Sequence, residues 1–576
     1  MNALWADPAR GDLAAACAAD IYNGFSTYNY WFHTVTQRAS ARFAMRDWNG
    51  SQRDAVQRIE LYEQSVNRIL ARVHARLGDR ILDKSIWREI KLRYQDAIRP
   101  YLDREFTKTF FSSVTRRVFQ TVGVDPQIEF VTISGDAVNE NTRYASYLTY
   151  TGHGSYWKLF YRVMHDVRLD VPFADLVGCV NYLTQQVVDA CVEIGGNYSI
   201  ISVDMIRQVF YRDNRAYVVG RIKGVDYQLP LIIAIKNTDG GARVDGVITD
   251  EDSVSVVFSF SRSYIHVDLE IVRHAVAFLR SILPQKPVSE IYTALGRAKQ
   301  GKTERYRNFF AHLQQSNDRF VNWAFDRGMV MVVFALPSYP VVFKVIRDRF
   351  AYPKTTVRRD VLDAYQLVFK HDRAGRLIDA QEFRALKFHR DRFDPALLEE
   401  LLRETSDVVK IDGDYVVIEH LYIERRLIPL NQYVREASPE AARAAVIDYG
   451  EAIKDLASSN IFPGDLLLKN FGVTRHGRVI FFDYDELCLI TDCNFRDLPT
   501  PRTHEEEMSP DAWFYVGEND VFPEQFPSFL GLEGELLTLF KTVHARLMDA
   551  QYWRDLKQSL LEGSIVDLLP YTPRAF

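Results

Sequence analysis

A chain of 576 residues, 47% of them hydrophobic and 13% aromatic, has enough apolar side chains for roughly three to four domain-sized cores, which excludes a disordered protein. The formal net charge of −5 gives no broad basic surface, so we expect no nucleic acid and no membrane among its partners. Five cysteines without a C-x-x-C pair fit a reducing cytoplasm and give no zinc site. Because no N-terminal segment resembles a signal peptide, we predict a cytoplasmic protein.

The first half of the chain, residues 1–286, is predicted to form one domain of an α-rich α+β class. Apolar residues at three- and four-residue spacing predict helices over 14–21, 53–77, 86–110, 173–194 and 266–283. Runs of β-branched and aromatic residues predict strands over 122–133, 206–219, 227–235 and 253–260. No catalytic constellation is recognisable in this half.

The boundary between two domains is predicted at Pro284-Gln285-Lys286-Pro287, because two prolines disfavour a continuing helix. The second domain would then span 287–576. It begins with a basic stretch, which is either a solvated helix or a site for an anionic group. Its cations are Arg297, Lys299, Lys302, Arg305 and Arg307.

A two-lobed protein-kinase-like domain is predicted from the elements that follow, with a small lobe over about 320–425 and a large lobe over about 426–576. The loop W-A-F-D-R-G-M at 323–329 leads into a strand over 330–335, and the return strand over 341–346 carries Lys344. In kinases such a loop covers the phosphates of ATP, and a lysine on the third strand pairs with them. This loop departs from G-x-G-x-x-G, since only Gly328 is present.

The remaining small-lobe elements follow the same order. We expect a helix over 361–377, Asp379 after it, and Glu382 as a possible partner of Lys344. Strands are predicted over 408–411 and 415–418, and residues 419–422 fall where a kinase hinge would meet adenine. A long amphipathic helix over 441–458 then leads into the catalytic loop.

The stretch F-P-G-D-L-L-L-K-N, which begins at Phe462, contains the D-L-x-x-x-N core of a kinase catalytic loop. Asp465 is the candidate acceptor for the proton of the attacking hydroxyl. Asn470 and Asp483 are the candidate Mg²⁺ ligands, and a short buried strand over 479–482 delivers Asp483 at its end.

Several segments of the second half resemble the bacterial isocitrate dehydrogenase kinase/phosphatase family. They include A-L-G-R-A-K-Q-G-K-T-E-R-Y-R-N-F, R-G-M-V-M-V-V-F, H-D-R-A-G-R-L-I-D and N-I-F-P-G-D-L-L-L-K-N-F-G-V-T-R-H-G-R-V. The resemblance is clear over roughly 291–576 and weaker before it. It implies one active site that phosphorylates a serine of isocitrate dehydrogenase and also removes that phosphate, with ATP or ADP and Mg²⁺. It further implies an N-terminal regulatory domain, AMP as an allosteric effector, and control of flux between the citric acid cycle and the glyoxylate bypass.

The resemblance also assigns roles to residues. Asp465 matches the kinase base, Asp379 the residue of the phosphatase reaction, and Asn470 and Asp483 the metal ligands. The loop has Ala324 and Phe325 where the family pattern has Pro-Gly. The family's ATP-binding positions match Trp323, Ala324, Phe325, Asp326, Arg327, Gly328, Met329 and Lys344.

Two other functions remain open at this point. P-G-D-x-x-x-x-N followed by a strand that ends in D-x-D also suits small-molecule phosphotransferases of the aminoglycoside or choline kinase kind. The long region before the kinase core is more than a small substrate requires. A catalytically inactive kinase-like binding module is the second alternative, and the complete set of Lys344, Asp465, Asn470 and Asp483 argues against it.

Overall fold

The computed structural model describes residues 13–101, 103–131, 147–152, 154–195, 199–259, 265–323, 328–352, 354, 356–371, 373, 375–500, 514–564, 569, 571 and 573. Within these ranges, no helix combines the length and the apolar character that crossing a bilayer requires. Helices and strands both contribute to each half of the chain.

The chain begins with a layer of helices, α1 (Leu13–Met45), α2 (Trp48–Leu77), α3 (Lys84–Ala97) and α4 (Arg104–Phe119). Their shared core is rich in aromatic rings, such as Tyr28 against Phe110 at a centroid distance of 6.2 Å. The single helix predicted over 86–110 is wrong, because Pro100 separates α3 from α4. The strand predicted over 122–133 is also wrong for its described part, where the Asp125 carboxylate accepts a hydrogen bond from the Gln127 amide (3.0 Å) in an irregular turn.

An antiparallel sheet follows, in the order β1-β2-β4-β5-β6 with β3 paired to β4. Helices α5 and α6 cover one face, while α7 and α8 cover the other. The elements are β1 (Tyr147–Thr151), α5 (Tyr156–Asp166), α6 (Leu176–Glu193), β2 (Ser202–Ile206), β3 (Phe210–Arg212), β4 (Arg215–Lys223), β5 (Gln228–Thr238), β6 (Gly241–Ile248), α7 (Glu251–Val257) and α8 (Val272–Ile282).

The strand predicted over 253–260 is wrong, since these residues mostly belong to helix α7. The Asp250 carboxylate caps this helix by accepting a hydrogen bond from the Ser253 amide (2.7 Å). Periodicity alone cannot tell whether a short apolar run is a strand or a buried helix. Here the capping residue Asp250 favours the helix.

The basic stretch forms helix α10 (Ala298–Gln315), which follows α9 (Val288–Ala294). Arg297, Arg305 and Arg307 are at most 6% exposed, so the solvated-helix interpretation is wrong for them. Arg307 pairs with Glu105 of α4 (2.8 Å), and Arg297 lies over the ring of Phe106. The anions that Arg305 and Arg307 contact are side chains of the chain itself, and Arg297 contacts neutral side chains.

The small lobe is a second antiparallel sheet, in the order β10-β12-β9-β8-β7 with β11 paired to β12. Helix α11 ends at His371 rather than at the predicted Leu377. Residues 419–422 lie within strand β12 and pair with β10, so the predicted hinge position is wrong. The elements are β7 (Val321–Asn322), β8 (Met331–Ala335), β9 (Val341–Ile346), α11 (Arg358–His371), β10 (Gln381–His389), α12 (Pro395–Glu404), β11 (Val409–Asp412) and β12 (Tyr415–Arg425).

The large lobe packs around helix α14 (Pro439–Ser458), which Ser438 caps and Pro439 begins. Its core includes Tyr449, Phe471, Phe481 and Trp553. The other elements are β13 (Ile428–Pro429), α13 (Leu430–Glu436), β14 (Ile461–Phe462), β15 (Phe471–Val473), β16 (Val479–Phe481), β17 (Cys488–Leu489), β18 (Asn494–Phe495), β19 (Asp520–Val521), α15 (Phe526–Phe529), α16 (Gly534–Val543) and α17 (Ala550–Leu561). The predicted α+β class, with a bilobal kinase-like domain after an α-rich first domain, is confirmed.

Near its C-terminus the chain returns to the sheet of the first half. The Tyr571 hydroxyl donates to Asp245 of β6 (2.8 Å), and the same carboxylate is paired with the buried Arg215 (2.7 Å). The Tyr571 ring lies against Gly246, where an added Cβ would come within 2.6 Å of it. The end of the second domain is therefore anchored on the first.

Candidate active site

The catalytic loop runs from β14 to β15 and is held mainly by its own backbone. Gly464 has φ of +77°, and a Cβ there would lie 2.3 Å from the Glu486 carbonyl oxygen, so a side chain is excluded at this position. The next residue, Asp465, accepts a hydrogen bond from the amide of Leu467 (2.9 Å) through Oδ1. The loop thus presents a half-buried carboxylate whose position is set within a few residues.

A hairpin brings the two predicted metal ligands to one end of a sheet. Phe471 of β15 pairs with Phe481 of β16, so Asn470 precedes the paired strands where Asp483 follows them. The Asn470 carbonyl accepts from the Phe482 amide (3.0 Å), and its side-chain amide lies 3.5 Å from the Asp465 carbonyl. The three residues of the predicted catalytic signature therefore converge.

Opposing influences act on the negative charge of Asp483, and those that disfavour it are stronger. Burial, and then the neighbouring carboxylate of Asp485, raise the pKa of Asp483 to about 7. Lys344 and Lys354 act in the opposite direction. A site with this balance is suited to a bound cation, because a cation would stabilise the deprotonated carboxylate.

Lys344 is only 7% exposed, and its charge is compensated inside the cleft. Its Nζ lies 2.7 Å from Oε2 of Glu424 and donates to the Phe482 carbonyl at 2.7 Å. Lys344 is opposite Tyr422 in the β9–β12 register, and Glu424 stands two residues further along β12. The suggested partner Glu382 is wrong, since its carboxylate pairs with Arg384 and His420 instead.

Asp379 reaches the same region by a parallel bridge between Leu377 and Phe481. Because the two segments run in the same direction, Asp379 and Asp483 each lie two residues beyond that bridge. Asp379 Oδ2 accepts hydrogen bonds from Gln381 (2.9 Å) and Arg305 (3.4 Å). Its Oδ1 is buried and has no hydrogen-bond partner among the described residues.

Only part of the predicted nucleotide loop can be placed. Ala324, Phe325, Asp326 and Arg327 lie outside the described residues. Trp323 donates its amide to the Val333 carbonyl (3.2 Å), and the guanidinium of Arg426 lies 4.4 Å from the centre of its indole ring. On the other side, the Gly328 carbonyl accepts from Arg347 (3.0 Å), and Met329 is 38% exposed. The described residues Trp323 and Gly328 therefore lie beside β8, in the same lobe as Lys344.

The donor set fits Mg²⁺. Asn470 and Asp483 offer an amide and a carboxylate oxygen, the hard ligands that Mg²⁺ prefers. The described residues hold no group of three or more His, Cys, Asp or Glu side chains that could bind a metal ion together. Asn470 and Asp483 would hold a Mg²⁺ ion bound at this position.

Arg376 is a buried anchor that no sequence motif indicated, and it fixes the segment that carries Asp379. Its guanidinium donates to Asp448 of α14 (2.7 and 2.9 Å), to Asp455 of α14 (2.7 Å) and to the Val479 carbonyl (3.0 Å). The contact of Arg305 with Asp379 and the pairing of Glu424 with Lys344 were not predicted either. Glu424 could have been found as a single acidic residue within the apolar pattern of β12. The contacts of Arg305 and Arg376 join distant parts of the chain, so no local pattern indicates them.

Comparisons with known proteins agree with this architecture. Residues 318–573 match the family model described as "Isocitrate dehydrogenase kinase/phosphatase (AceK) kinase domain", and residues 18–317 match the model of the regulatory domain of the same protein. The two models meet at 317/318. The boundary at 286/287 stays a prediction, and the residues between the two positions form α9 and α10.

Curated proteins of similar length carry the same name. The chain is 46% identical over 573 residues to isocitrate dehydrogenase kinase/phosphatase of Xanthomonas campestris pv. campestris strain 8004, with 99% of each chain covered. It is 47% identical over 560 residues to the protein of that name from Xanthomonas axonopodis pv. citri strain 306, covering 97% of this chain and 96% of the relative. The protein of that name from Anaeromyxobacter sp. strain Fw109-5 is also 47% identical, with 97% of each chain covered. The chain belongs to the isocitrate dehydrogenase kinase/phosphatase family.

Proposed function

We propose that this chain phosphorylates a serine of isocitrate dehydrogenase and removes that phosphate at the same active site. The observation that carries the proposal is the convergence of Lys344, Asp465, Asn470 and Asp483 in one cleft, with Asp379 beside them. Membership of the family favours this function over a small-molecule phosphotransferase or an inactive binding module. Both reactions would control the division of flux between the citric acid cycle and the glyoxylate bypass.

In the kinase reaction each of the residues in the cleft has a separate role. Asp465 accepts the proton of the attacking serine hydroxyl and orients that hydroxyl. Lys344 contacts phosphate oxygens of ATP, with Glu424 holding its ammonium group in place. Asn470 and Asp483 hold Mg²⁺, which when bound supplies positive charge against the phosphate oxygens.

In the phosphatase reaction a water molecule replaces the serine hydroxyl as nucleophile, and Asp379 is our candidate to position it. The unpartnered, buried Oδ1 of Asp379 is an acceptor of the kind that such a water needs. Kinase chemistry assigns no task to this residue, because the kinase signature already contains its base. The two activities would therefore share the nucleotide and metal groups and differ in the carboxylate they use.

The family is one of kinases, and ATP is the phosphoryl donor of a kinase. We further propose that ADP as well as ATP supports the phosphatase reaction, that Mg²⁺ is required for both reactions, and that AMP acts as an allosteric effector. We place the enzyme in the cytoplasm, a location that suits five cysteines present as thiols.

The experiment that tests the function measures transfer of radiolabelled phosphate from γ-labelled ATP to purified isocitrate dehydrogenase, with a panel of sugars and amines as competing acceptors. We expect label on the protein serine, and its release from pre-labelled protein when ATP or ADP is added with Mg²⁺. Label on a small molecule instead of the protein would overturn the proposal. Repeating the assay with AMP tests the effector.

Two variants test the division of labour within the site. Asp379→Ala should lose most phosphatase activity, by about 10²- to 10⁴-fold for a lost general base, and keep most kinase activity. Asp483→Ala should impair both activities together. Equal losses of both activities in Asp379→Ala would remove Asp379 from the phosphatase role, and full retention of either activity in Asp483→Ala would argue for separate metal centres.

A further inference from the structure

Arg305 is the point at which the helices between the two domains touch Asp379. Its side chain is 6% exposed, and its Nη2 lies 3.4 Å from Asp379 Oδ2. The other nitrogen of the fork, Nη1, donates to the Ile423 carbonyl on β12 (3.3 Å). Because the guanidinium is planar and rigid, two contacts to different elements fix its orientation and thereby the side of Asp379 that it occupies.

The position of Arg305 is set from the regulatory side of the molecule. Helix α10 packs so closely on α9 that a Cβ at Gly301 would lie 2.4 Å from the Ser289 carbonyl oxygen. On the same helix, Gln300 accepts a hydrogen bond from Thr109 of α4 (2.5 Å). A shift of the regulatory helices would therefore move α10 and, with it, the guanidinium beside Asp379.

A second half-buried carboxylate, Glu290, lies near the same arginine. Glu290 of α9 lies 3.9 Å from Arg305 Nη2. It also pairs with Arg425 (2.9 Å) and lies 3.8 Å from Lys286. Since Glu290 is already compensated by these two cations, the charge of Arg305 remains available to Asp379.

The two oxygens of Asp379 are in different situations. Gln381 and Arg305 donate to Oδ2, while Oδ1 is buried without a hydrogen-bond partner among the described residues. A buried carboxylate oxygen left without a donor is unfavourable, so its retention requires a reason. An oxygen turned toward a nucleophilic water supplies that reason, provided that the carboxylate cannot rotate.

We propose that Arg305 is a positioning residue for the phosphatase reaction: it holds Oδ2 of Asp379 so that Oδ1 faces the attacking water. The proposal rests on the role proposed above for Asp379. Arg305 reaches Asp379 and Glu290 and has no described contact with Lys344, Asp465, Asn470 or Asp483. Its loss therefore weakens dephosphorylation selectively, and α10 becomes the route by which the regulatory half biases one reaction over the other.

The test is Arg305→Met, which keeps an unbranched side chain and removes the charge. We expect the kcat of dephosphorylation to fall by about 10- to 100-fold, the usual loss when a group that orients a catalytic residue is removed. The KM for phosphorylated isocitrate dehydrogenase should stay the same, and the kinase rate should remain within about threefold of wild type.

Arg215→Met is the matched control. Arg215 is 1% exposed and pairs with Asp245 on the sheet of the first half (2.7 Å), but it lies outside α10 and has no described contact with Asp379. We expect any loss in this variant to lower both activities in the same proportion. An equal, parallel loss in Arg305→Met would overturn the proposal, and so would an unchanged phosphatase rate.

Two further variants keep the result decisive. If Arg305→Met does not fold, Arg305→Lys carries the test: it retains the charge but loses the fork, and we expect a several-fold, phosphatase-specific loss. The double variant Asp379→Ala/Arg305→Met should be no slower in dephosphorylation than Asp379→Ala alone. If Asp379→Ala retained phosphatase activity, the proposed role of Asp379 would be wrong. If Asp379→Ala lost phosphatase activity while Arg305→Met kept all of it, only the role of Arg305 would be wrong.

Discussion

The two candidate catalytic carboxylates lie in one cleft but are held there in different ways. Asp465 is fixed by its own loop, through the left-handed Gly464 before it and the hydrogen bond from Leu467 after it. Asp379 accepts one local hydrogen bond, from Gln381, but it is also fixed by groups far away in the chain, through Arg305 and through the segment that Arg376 anchors to α14. A locally built residue responds to changes within its loop, while a residue built from distant elements also responds to movements elsewhere.

This difference matches the two reactions proposed for the site. The contacts described above for the proposed kinase base lie within the large lobe, and none of them involves a regulatory helix. The phosphatase carboxylate depends on α10, which packs against α4 of the first domain. In a protein that shifts between the two activities, coupling the position of only one of the two carboxylates to the regulatory helices allows one reaction to change without the other.

The largest effect is expected when the function of Asp465 is removed without disturbing its loop. Asp465→Asn retains an oxygen for the Leu467 amide and loses the proton acceptor. We expect the kinase kcat to fall by about 10²- to 10⁴-fold, as is usual for a lost general base, with unchanged ATP affinity and thermal stability. Label transfer to isocitrate dehydrogenase and a fluorescence titration with ATP measure the two quantities. A near wild-type rate would show that another group takes the proton.

The second prediction breaks the anchor of the Asp379 segment. Arg376 is 3% exposed, and Arg376→Met would leave two carboxylates, Asp448 and Asp455, without their partner. Breaking a buried ion pair costs about 3–5 kcal/mol of the free energy of unfolding. Urea unfolding should show this loss, and both activities should decline with the folded fraction.

Arg359→Met is the control for that measurement. The side chain of Arg359 is 87% exposed on α11, and its contact with Asp363 is 3.7 Å long. Exposed pairs of this kind contribute little, so the unfolding midpoint should not change. Equal midpoints for Arg376→Met and wild type would mean that the parallel bridge alone holds the Asp379 segment.

Lys344 of the small lobe also depends on a partner that is distant in the chain, Glu424. Glu424→Gln keeps the shape of the side chain and removes its charge. Losing a charged hydrogen-bond partner costs about 1.5–3 kcal/mol, so kcat/KM for ATP should fall by about 10- to 100-fold. Glu382→Gln is the control, because Glu382 contacts Arg384 and His420 rather than Lys344. A larger effect at Glu382 would reverse the assignment.

The smallest effect is expected at Gly464, which sets the position of Asp465 within its own loop. Gly464→Ala forces a side chain into a left-handed position, at about 1–2 kcal/mol, and also against the Glu486 carbonyl, so the kinase rate should fall by about 5- to 30-fold. Gly477 has a similar φ of +72° but no atom within 4 Å of its Cβ position. Gly477→Ala should therefore lower stability slightly and leave the kinase rate unchanged. Equal kinase losses would mean that strain, and not the contact with Glu486, disturbs Asp465.

The same distinction explains what the sequence could and could not predict. The catalytic loop, strand β16 and the strand of Lys344 were predicted because their signals lie within about ten neighbouring residues. Helix α11 was predicted too long because apolar spacing continues to Leu377, although Gly375, with φ of +60°, marks the break before it. The hinge was placed too early because β12 continues through Glu424, whose charge is tolerated there only because Lys344 lies beside it.

The roles of Arg305 and Arg376 had no signal in a single sequence. Arg376 lies 72 residues before Asp448 and 79 before Asp455, and Arg305 lies 74 residues before Asp379. Nothing in the spacing of these residues reports that they meet. Periodicity and motifs find groups that are neighbours in the chain, and buried ion pairs between elements appear only once the elements are packed.

Tyr571 gives the second domain a further attachment to the first. The polypeptide already joins the two domains, whose family models meet at 317/318, and the contact of Tyr571 with Asp245 and Gly246 is a second attachment, to the sheet of the first half. A segment held at both ends docks as an intramolecular event, at a high effective concentration set by the length of the free chain. The kinase-like domain is thus held to the first domain at Tyr571 as well as by the packing of α10 on α4, and a cut between the domains would lower the effective concentration at which these contacts form.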